Sequence, residues 1–326
     1  MRAVILKGFG PSARLELTRL SKPTPAADEL LIEVKASSLN PVDAQTKRLL
    51  AYIPGRSLFT SKLVPGHDFA GTVAAVGAAV TGFRVGDDVY GTNGLSPGAI
   101  REGLLRTGTF ADFIVVKSSK VAIKPKNLSF IEAAASPLVA LTALQSLRKT
   151  GLKAGQDLLV VGGSGGVGSM AVQLGKILGA RVSAVCSTSN IEFVKSIGAD
   201  ETIDYRQSDY HDSTQKFDVV FSTTGQQGLA SEQRLLKENG VILDCAAPSL
   251  SGSAELARRY AFSKGYRNEF VLYQSSGEDL TYLAGLFEAK RLKTRIATRV
   301  ALADIEAGLQ MMTSGHSAGK IAVANH

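Results

Sequence analysis

The stretch Val160–Ala180, VVGGSGGVGSMAVQLGKILGA, joins the end of an apolar run to a helix-like segment. Its glycines fit G-x-G-x-x-G, the loop that takes the pyrophosphate of a dinucleotide, at Gly163, Gly165 and Gly168. Residues 162–166, GGSGG, also fit G-x-S-x-G, the turn that presents the nucleophilic serine of a hydrolase. The same turn therefore predicts either a cofactor site or an attacking Ser164.

Strands and helices alternate along the chain after residue 128. Strand-like segments read DLLVVG (157–162), RVSAVCS (181–187), ETIDY (201–205), FDVVFST (217–223), GVILDCA (240–246) and NEFVLYQ (268–274). The first, second, fourth and fifth are apolar with little alternation, as a parallel sheet covered on both faces requires. This rhythm predicts an α/β fold, a doubly wound parallel sheet that binds a dinucleotide.

The place of the glycine turn favours the cofactor over the nucleophile. The turn follows the first strand of the series, where a dinucleotide fold has its phosphate loop. A hydrolase would carry it after several strand–helix units, with its triad drawn from Ser164, Asp218 or Asp244, and His316. No HGGG-type sequence precedes the turn. The predicted phosphate-binding residues are Gly163, Ser164, Gly165, Gly166, Val167 and Gly168.

The first 127 residues differ from this pattern, because short β-like runs alternate with turns. LLIEVKAS (30–37) alternates apolar and charged residues, as a half-buried strand does. The C-terminal part adds two helix-like and two strand-like segments, ending in GKIAVAN (319–325). That last strand needs a partner, which the β-rich first part offers. We therefore predict one domain of residues 1–127 plus 272–326, with a nucleotide-binding domain of residues 128–271 inserted.

Two helix starts are predicted at the junction. Ser129 and Glu132 have the spacing of a capping box. A second helix is expected to begin with Ser136 as N-cap and Pro137 in its first turn, and to end at Gly151.

The overall composition is that of a globular protein. Of 326 residues, 44% are hydrophobic and 20% are charged, and the net charge is +8. The Lys and Arg residues are scattered, so we expect no dedicated nucleic-acid binding and at most peripheral membrane contact. The two cysteines, Cys186 and Cys245, indicate no disulfide framework and suit a reducing compartment. No signal-peptide-like run opens the sequence, and a cytoplasmic location is expected.

The second strand of the nucleotide domain indicates which dinucleotide is bound. Enzymes that use NAD place an acid near its end for the ribose 2′-hydroxyl, yet residues 169–191 contain none. The strand is followed instead by Ser187, Thr188, Ser189 and Asn190, and the third strand ends in Tyr205-Arg206. These donors favour a 2′-phosphate, and therefore NADPH. The alternative is that Ser189 and Glu192 simply cap the next helix.

The layout resembles the zinc-free quinone oxidoreductase branch of the medium-chain dehydrogenase/reductases, including chloroplast-envelope quinone oxidoreductase homologues and alkenal or enone reductases. The resemblance rests on SLNPVD (38–43), PGHDFAG (65–71), GDDVYG (86–91), LTAL (141–144), GGSGGVG (162–168), IEFVKSIGADETIDYR (191–206) and GHSAGKIAV (315–323). It implies that the first domain is GroES-like and catalytic, that the inserted domain is of the Rossmann type, and that the substrate is a quinone or an α,β-unsaturated carbonyl.

Gly66-His67-Asp68 resembles the Gly-His-Glu of zinc alcohol dehydrogenases in the same superfamily. A catalytic zinc needs three or more protein ligands. Asn40 stands where those enzymes carry their first cysteine, and Cys186 and Cys245 fall on nucleotide-domain strands. No metal is therefore expected, and His67 is interpreted as a packed or pocket-lining residue.

Asn40, Asp43 and Lys47 are spaced i, i+3, i+7 and share a face if their segment is helical. The resemblance places Asn40 beside the nicotinamide, and some relatives carry a lysine where Gln45 stands here. Tyr52 is a candidate proton donor or pocket wall. We take Asn40, Asp43, Lys47 and Tyr52 as candidate catalytic residues, although each can equally be structural.

Further cofactor-binding residues are predicted in both domains. Besides the phosphate turn, they are Asn40, Thr142, Ser187, Thr188, Asn190, Tyr205, Thr223, Cys245, Phe270 and Lys320. Thr142 resembles a family residue near the nicotinamide.

The sequence thus predicts an NADPH-dependent, zinc-independent oxidoreductase that transfers hydride to quinones or enones. The alternative is a non-catalytic or regulatory protein of the same fold that binds NADPH only as a ligand. A homodimer is expected, with the sixth strand, NEFVLYQ, as a sheet edge that two subunits can pair.

Overall fold

The computed structural model describes residues 1–52, 64–93, 108–224, 232–245, 266–314 and 318–325. His316, the histidine of the hydrolase alternative, lies outside them, as do residues 315–317 of the GHSAGKIAV motif.

The strands are β1 (Arg2–Lys7), β2 (Arg14–Arg19), β3 (Glu29–Ser38), β4 (Asp68–Val76), β5 (Asp88–Thr92), β6 (Phe113–Lys117), β7 (Val121–Ile123), β8 (Asp157–Val161), β9 (Arg181–Cys186), β10 (Glu201–Asp204), β11 (Phe217–Ser222), β12 (Leu236–Asp244), β13 (Arg267–Phe270), β14 (Ile296–Ala301) and β15 (Lys320–Ala324). The helices are α1 (Pro41–Ala51), α2 (Phe130–Ala134), α3 (Pro137–Thr150), α4 (Gly166–Ile177), α5 (Ile191–Ser196), α6 (Gly277–Glu288) and α7 (Ile305–Thr313). No helix among the described residues is both long and apolar enough to cross a membrane.

The chain packs into two compact units. The first unit contains residues 1–141, 274–290 and 294–326, and the second contains residues 142–273 and 291–293. Both chain ends therefore belong to the first unit, as an inserted nucleotide domain requires. The predicted junctions at 127/128 and 271/272 stay predictions beside these divisions.

The second unit is built on a six-stranded parallel sheet in the order β10-β9-β8-β11-β12-β13. Counted within the unit, this is the order 3-2-1-4-5-6 of a doubly wound dinucleotide-binding fold. All five residues of β8 are buried, which explains the continuous apolar run of residues 158–161 after Asp157. The predicted α/β fold is confirmed, although β12 begins earlier than expected and β13 ends at Phe270, four residues before the predicted end at Gln274.

The first unit contains a seven-stranded sheet in which β14-β15-β3-β4-β5-β7 are neighbours and β6 also pairs with β3. The terminal strand β15 pairs antiparallel with the end of β3, with Val323 opposite Ser37. This is the partner that the sequence predicted for the last strand. Side chains from these strands form an apolar core that includes Leu30, Ile32 and Phe69.

A hairpin at the N-terminus was missed by the sequence interpretation. β1 and β2 pair antiparallel along their whole length, from Arg2 opposite Arg19 to Lys7 opposite Arg14. β1 shows no alternation because Ala3, Val4, Ile5 and Leu6 are all buried. A run of four apolar residues carries no period that identifies a strand.

The two predicted helix starts at the junction are both found, and they differ in how their first backbone N–H groups are bound. Ser129 and Glu132 form the complete capping box at the start of α2. α3 begins at Pro137 and Ser136 is its N-cap residue, because the Ser136 carbonyl oxygen accepts the backbone N–H of Ala140 at 2.9 Å, while the Ser136 hydroxyl donates to the carbonyl oxygen of Ala133. The backbone N–H of Leu138 is instead accepted by the carboxylate of Asp68, on β4.

Candidate active site

The glycine turn after β8 is held by the neighbouring strand. The backbone N–H groups of Gly162 and Gly163 both donate to the carbonyl oxygen of Val185, at 3.1 and 2.9 Å. Gly162 has φ +85°, a conformation that L side chains rarely adopt. The backbone then turns at once into α4, whose N-cap is Gly165.

The three glycines of the pattern have different physical reasons. A Cβ on Gly168 would lie 2.1 Å from the Gly162 carbonyl oxygen, so the close approach of helix and turn requires glycine. A Cβ on Gly163 would lie 2.9 Å from the Cβ of Ala184. A Cβ on Gly165 would meet only the Gly162 oxygen, at 3.3 Å, among the described atoms within 4 Å. The described residues therefore leave the immediate surroundings of Gly165 open, as the approach of a pyrophosphate to the backbone requires.

The first turn of α4 offers unpaired donors to an anion. Gly165 carries no side chain that could cap the helix, and the turn contains no acidic residue. The first helical hydrogen bond is donated by Ser169 to the Gly165 carbonyl oxygen. The N–H groups before Ser169, together with the helix dipole, suit a phosphate. Ser164 has no histidine partner among the described residues, so nothing here supports the nucleophile interpretation.

The predicted nucleotide-binding residues lie at the carboxyl edge of the parallel sheet. In register, Val161 of β8 lies opposite Val185 and Ser222, and Asp244 opposite Ser222 and Phe270. Thr223 donates its hydroxyl to the Val161 carbonyl oxygen at 2.8 Å. Cys245 follows β12, with its Sγ atom 4.0 Å from the Ser222 carbonyl oxygen. The sheet thus brings these residues to the edge where such folds bind nucleotides.

The polar loop after β9 forms its own hydrogen-bond cluster. The Asn190 side-chain amide donates to the Ser187 hydroxyl at 3.0 Å, and the hydroxyls of Ser187 and Ser189 lie 3.3 Å apart. Ser189 does not cap the next helix with Glu192, because the N-cap of α5 is Asn190 and no side-chain capping bond forms. The alternative role proposed for Ser189 and Glu192 is therefore wrong.

Sequence reasoning missed an acid in this region. Asp204, at the end of β10, lies opposite Cys186 in the sheet and accepts the Thr188 hydroxyl at 2.6 Å. It also accepts the backbone N–H of Arg206 at 3.0 Å. The Thr188 hydrogen bond is the main reason why the pKa of Asp204 is lowered. Its carboxylate is committed to these donors, and it orders the segment that carries Tyr205 and Arg206, whose side chains are exposed. The sequence did contain a sign of this acid, because Asp204 ends the third strand of the nucleotide domain, one strand after the place where NAD enzymes carry theirs.

The first unit contains a buried polar cluster, which we call the Lys320 cluster. Its members come from the end of β3, the first turn of α1, the start of β4 and the start of β15, and each is at most 5% exposed: Asn40, Asp43, His67, Asp68 and Lys320. Only Asn40, Asp43 and Lys320 were predicted as site residues. His67 was interpreted as packed, and Asp68 was noticed only through its resemblance to a zinc motif.

Asp43 fixes the beginning of α1. One carboxylate oxygen accepts the backbone N–H of Asn40 at 2.7 Å, and the other lies 2.6 Å from Nδ1 of His67. Burial acts to lower the pKa of His67, but the charge and hydrogen bond of Asp43, with a contribution from Asp68, outweigh it and the pKa is raised. The Nδ1–H group of His67 therefore donates to Asp43.

Asp68 joins three parts of the first unit. Its Oδ2 atom accepts the Ser38 hydroxyl at 2.9 Å and the Asn40 side-chain amide at 2.8 Å. Its Oδ1 atom accepts the backbone N–H of Leu138 at 2.9 Å. The orientation of the Asn40 amide follows, because its nitrogen must face the carboxylate.

Lys320 completes the cluster. Its Nζ atom donates to the Leu39 carbonyl oxygen at 2.8 Å and to the side-chain oxygen of Asn40, and it lies 3.6 Å from Oδ2 of Asp68. Burial lowers the pKa of Lys320, and the charges of Asp68 and Asp43 oppose that effect without cancelling it. A lysine held this way is both an electrostatic partner for a developing oxyanion and a stronger acid than an exposed one.

The other predicted residues do not converge on Asn40. Lys47 forms an ion pair with Glu306 of α7. Tyr52 follows the far end of α1, about 18 Å along the helix from Asn40 at about 1.5 Å per residue. Its ring is 55% exposed and packs edge-on against Phe9. Thr142 is buried in α3. These roles stay predictions.

The described residues contain no group of three or more His, Cys, Asp or Glu side chains that could hold a metal. His67 directs Nδ1 to Asp43, and Asn40 offers an amide that is already hydrogen-bonded on both sides.

Known proteins share both halves of this architecture. Residues 26–126 match the alcohol dehydrogenase GroES-like domain family, and residues 197–323 match the zinc-binding dehydrogenase family. A 2-methylene-furan-3-one reductase of Solanum lycopersicum is 35% identical over 328 residues, covering 99% of this chain and 79% of the relative. The chain belongs to the medium-chain dehydrogenase/reductase superfamily.

Other members of the superfamily are similar over the whole chain. The NADPH-dependent alkenal/one oxidoreductase of Arabidopsis thaliana is 34% identical, covering 99% of this chain and 79% of the relative. The chloroplast envelope quinone oxidoreductase homolog of the same plant is 32% identical, covering 96% and 95%. The structure of the quinone oxidoreductase from Coxiella burnetii superposes with a TM-score of 0.85 at 28% identity, covering 100% of this chain and 99% of that one. The protein is accordingly an oxidoreductase that uses a nicotinamide cofactor and a small-molecule substrate.

Proposed function

We propose that this protein is an NADPH-dependent reductase that transfers hydride to quinones or α,β-unsaturated carbonyls without a metal ion. The observation that carries the proposal is the glycine turn at the carboxyl edge of a doubly wound sheet, where the described residues leave the surroundings of Gly165 open. The names of relatives at 34 and 35% identity supply the substrate class, an alkenal or enone.

The second unit would hold the cofactor along its sheet edge. The turn of Gly163–Gly168 takes the pyrophosphate, and Thr223, Cys245 and Phe270 lie along the same edge. The 2′-phosphate is assigned to Ser187, Thr188 and Asn190 with the exposed Tyr205 and Arg206. When bound, the nicotinamide supplies the hydride.

A conjugated acceptor suits the groups that the first unit provides. Reducing a simple carbonyl or oxidising an alcohol needs a metal or a strong acid–base pair, and the one Tyr-x-x-x-Lys spacing in the sequence, Tyr260 with Lys264, lies outside the described residues. Hydride addition to the β-carbon of an enone leaves an enolate, which needs only hydrogen-bond donors and a proton. The Lys320 cluster offers such a donor in a desolvated site.

Isotope transfer tests the function directly. With stereospecifically deuterated NADPH and a small enone, we expect deuterium on the β-carbon of the product and no oxidation of ethanol. Product without cofactor deuterium, or rapid ethanol oxidation, would remove the proposal. Binding of NADPH without turnover of any quinone or enone would favour the non-catalytic alternative.

We also propose a homodimer formed through β13, and a cytoplasmic location. β13 pairs with β12 on one side and is the last strand of the described sheet, and we assign its other edge to pairing with a second copy. The mass of the purified protein by light scattering tests this, and a monomer at micromolar concentration would contradict it.

A further inference from the structure

One carboxylate of the second unit joins the loop after β9 to the end of β10. Thr188 stands 20 positions after Gly168, the place where dinucleotide folds carry the acid that binds the ribose 2′-hydroxyl. The Thr188 hydroxyl donates to Oδ2 of Asp204 at 2.6 Å, a short hydrogen bond to a charged acceptor. A carboxylate therefore lies within hydrogen-bond distance of the residue at the ribose position, although it comes from the neighbouring strand.

Protein donors surround the carboxylate of Asp204. Besides the Thr188 hydroxyl, the backbone N–H of Arg206 donates to Oδ1 at 3.0 Å, and the Gln207 side chain adds a further hydrogen bond. Asp204 is 8% exposed and lies opposite Cys186 in the sheet. These donors, with Thr188 first, lower the pKa of Asp204, so the group is charged at neutral pH. They occupy three of the roughly four lone-pair sites that a carboxylate offers.

The hydroxyl of Thr188 has a single hydrogen to donate. Because that hydrogen goes to Asp204, Thr188 does not also donate to a 2′-phosphate while this bond is intact. Direct contact with a phosphate is left to its neighbours in the loop. The hydroxyls of Ser187 and Ser189 lie 3.3 Å apart, and the Asn190 amide directs one N–H group to Ser187. The assignment of Thr188 to the 2′-phosphate therefore becomes an indirect one, made through Asp204.

We propose that the Thr188–Asp204 hydrogen bond makes this chain select NADPH over NADH, with Asp204 as the specificity-determining acid and Thr188 as its positioning residue. The inference rests on the proposed function, because it says how that same site distinguishes the two cofactors. While Thr188 holds it, the carboxylate does not accept a ribose 2′-hydroxyl. Once the Thr188 hydroxyl is removed, Oδ2 becomes an acceptor for the 2′-hydroxyl of NADH and repels the 2′-phosphate of NADPH.

The backbone keeps the two loops in place without the help of Thr188. The N–H group of Tyr205 donates to the Cys186 carbonyl oxygen at 3.2 Å, and that of Asn190 donates to the Ser187 carbonyl oxygen at 2.8 Å. Because strand register sets the spacing of the loops, loss of the hydroxyl should free the carboxylate without moving them. A hydrogen bond to a charged group is worth about 10- to 150-fold in affinity, enough to reverse a cofactor preference.

Thr188→Val is the first test, with the dissociation constants of NADH and NADPH measured by calorimetry. Valine removes the hydroxyl at nearly constant volume, and position 188 is exposed, so no core packing is lost. We expect the ratio of the NADH constant to the NADPH constant to fall at least about 10-fold, with tighter NADH binding as part of the change. T188S keeps the hydroxyl and should leave the ratio within about threefold of the wild type.

A double-mutant cycle with Asp204→Asn separates the indirect role from a direct one. In D204N, the amide oxygen can still accept the backbone N–H of Arg206, but the negative charge is gone. T188V should therefore change the NADH-to-NADPH ratio by less than about threefold in the D204N background, although it changes the ratio strongly in the wild type. T202V is the matched control, since it makes the same substitution two residues before Asp204 on β10 and should leave both constants unchanged.

The outcomes separate this proposal from the function itself. If the wild type reduces no enone with NADPH, the proposed function fails, and a wild type without preference for NADPH overturns the inference as well. If the wild type prefers NADPH and T188V keeps its ratio within about threefold, the inference alone fails.

Two further results would also overturn the inference. Weaker NADPH binding in T188V without any gain for NADH, and with the same loss in D204N, would mean that Thr188 donates to the phosphate directly. An equal loss of affinity for both cofactors would mean that Thr188 only supports the loop. If T188V does not fold, T188A carries the same expectation.

Discussion

The carboxylate of Asp68 accepts the backbone N–H of Leu138 at 2.9 Å, across 70 positions of sequence. One acid thus caps the start of α3 while its other oxygen orients Asn40 and faces Lys320. Asp68, which belongs to the segment that resembles a zinc motif, therefore connects the start of α3, the Asn40 side chain and Lys320 within the first unit.

Asp68→Ala should lower the free energy of unfolding by about 3–5 kcal/mol, because it leaves a buried lysine and three buried donors without their acceptor. Urea unfolding at pH 7 measures this. The control is D88A, at the exposed first position of β5, where among the described residues the carboxylate accepts only an exposed hydroxyl of Thr72; it should change stability by less than about 0.5 kcal/mol. A loss under about 1 kcal/mol for D68A would mean that the cluster is not a stabilising unit.

The His67–Asp43 pair predicts a pH dependence of stability. The folded-state pKa of His67 is raised above 6.5, so its contribution is complete below that pH and is lost as pH rises through the raised pKa. The free energy of unfolding of the wild type should therefore fall over this interval relative to H67Q. Denaturant unfolding of both proteins between pH 5 and about 9 measures the difference. Parallel pH profiles would contradict the assignment.

Gly165→Val and Gly168→Val should impair different properties of the protein, NADPH binding in the first and stability in the second. G165V should keep the fold and lose NADPH binding, because its side chain fills the space assigned to pyrophosphate. G168V should lose at least about 1–3 kcal/mol of stability, because its Cβ would meet the Gly162 carbonyl oxygen. Calorimetric titration and thermal unfolding separate the two. Unchanged NADPH affinity in G165V would refute the phosphate assignment.

Arg206→Ala should weaken NADPH binding and spare NADH. A hydrogen bond from a charged group to the 2′-phosphate contributes about 1–3 kcal/mol, so the dissociation constant of NADPH should rise about 5- to 150-fold. K195A, in α5, should leave both constants unchanged, since Lys195 pairs with Glu192. Equal binding of NADH and NADPH by the wild type would contradict the assignment of a 2′-phosphate site to this loop.

Activity should survive chelation. Dialysis against a strong chelator should leave kcat and the enone KM unchanged, because the ring nitrogen of His67 and the amide of Asn40 are already committed to protein partners. Metal content measured on the same samples is the control. Loss of activity that zinc restores would contradict a metal-free mechanism.

The phosphate turn could be predicted from the sequence because its causes are local. Gly162 needs its positive φ, Gly168 needs to lack a Cβ, and Gly165 ends the turn at a helix, all within seven residues. Parallel strands could likewise be recognised by continuous apolar runs, as in β8. The N-terminal hairpin was not predicted, because β1 is buried at four consecutive positions and its sequence has no strand-like period.

The buried cluster was decided by tertiary structure alone. Lys320 and Asn40 are 280 positions apart, and Thr188 meets Asp204 only because β9 and β10 lie in one register. The sequence by itself determined which residues can turn, cap a helix or fill a sheet, since backbone conformation depends on near neighbours. Which buried charges face each other depends on strand order and register, because these fix the distances between the charged groups and the burial that lowers the pKa of Lys320.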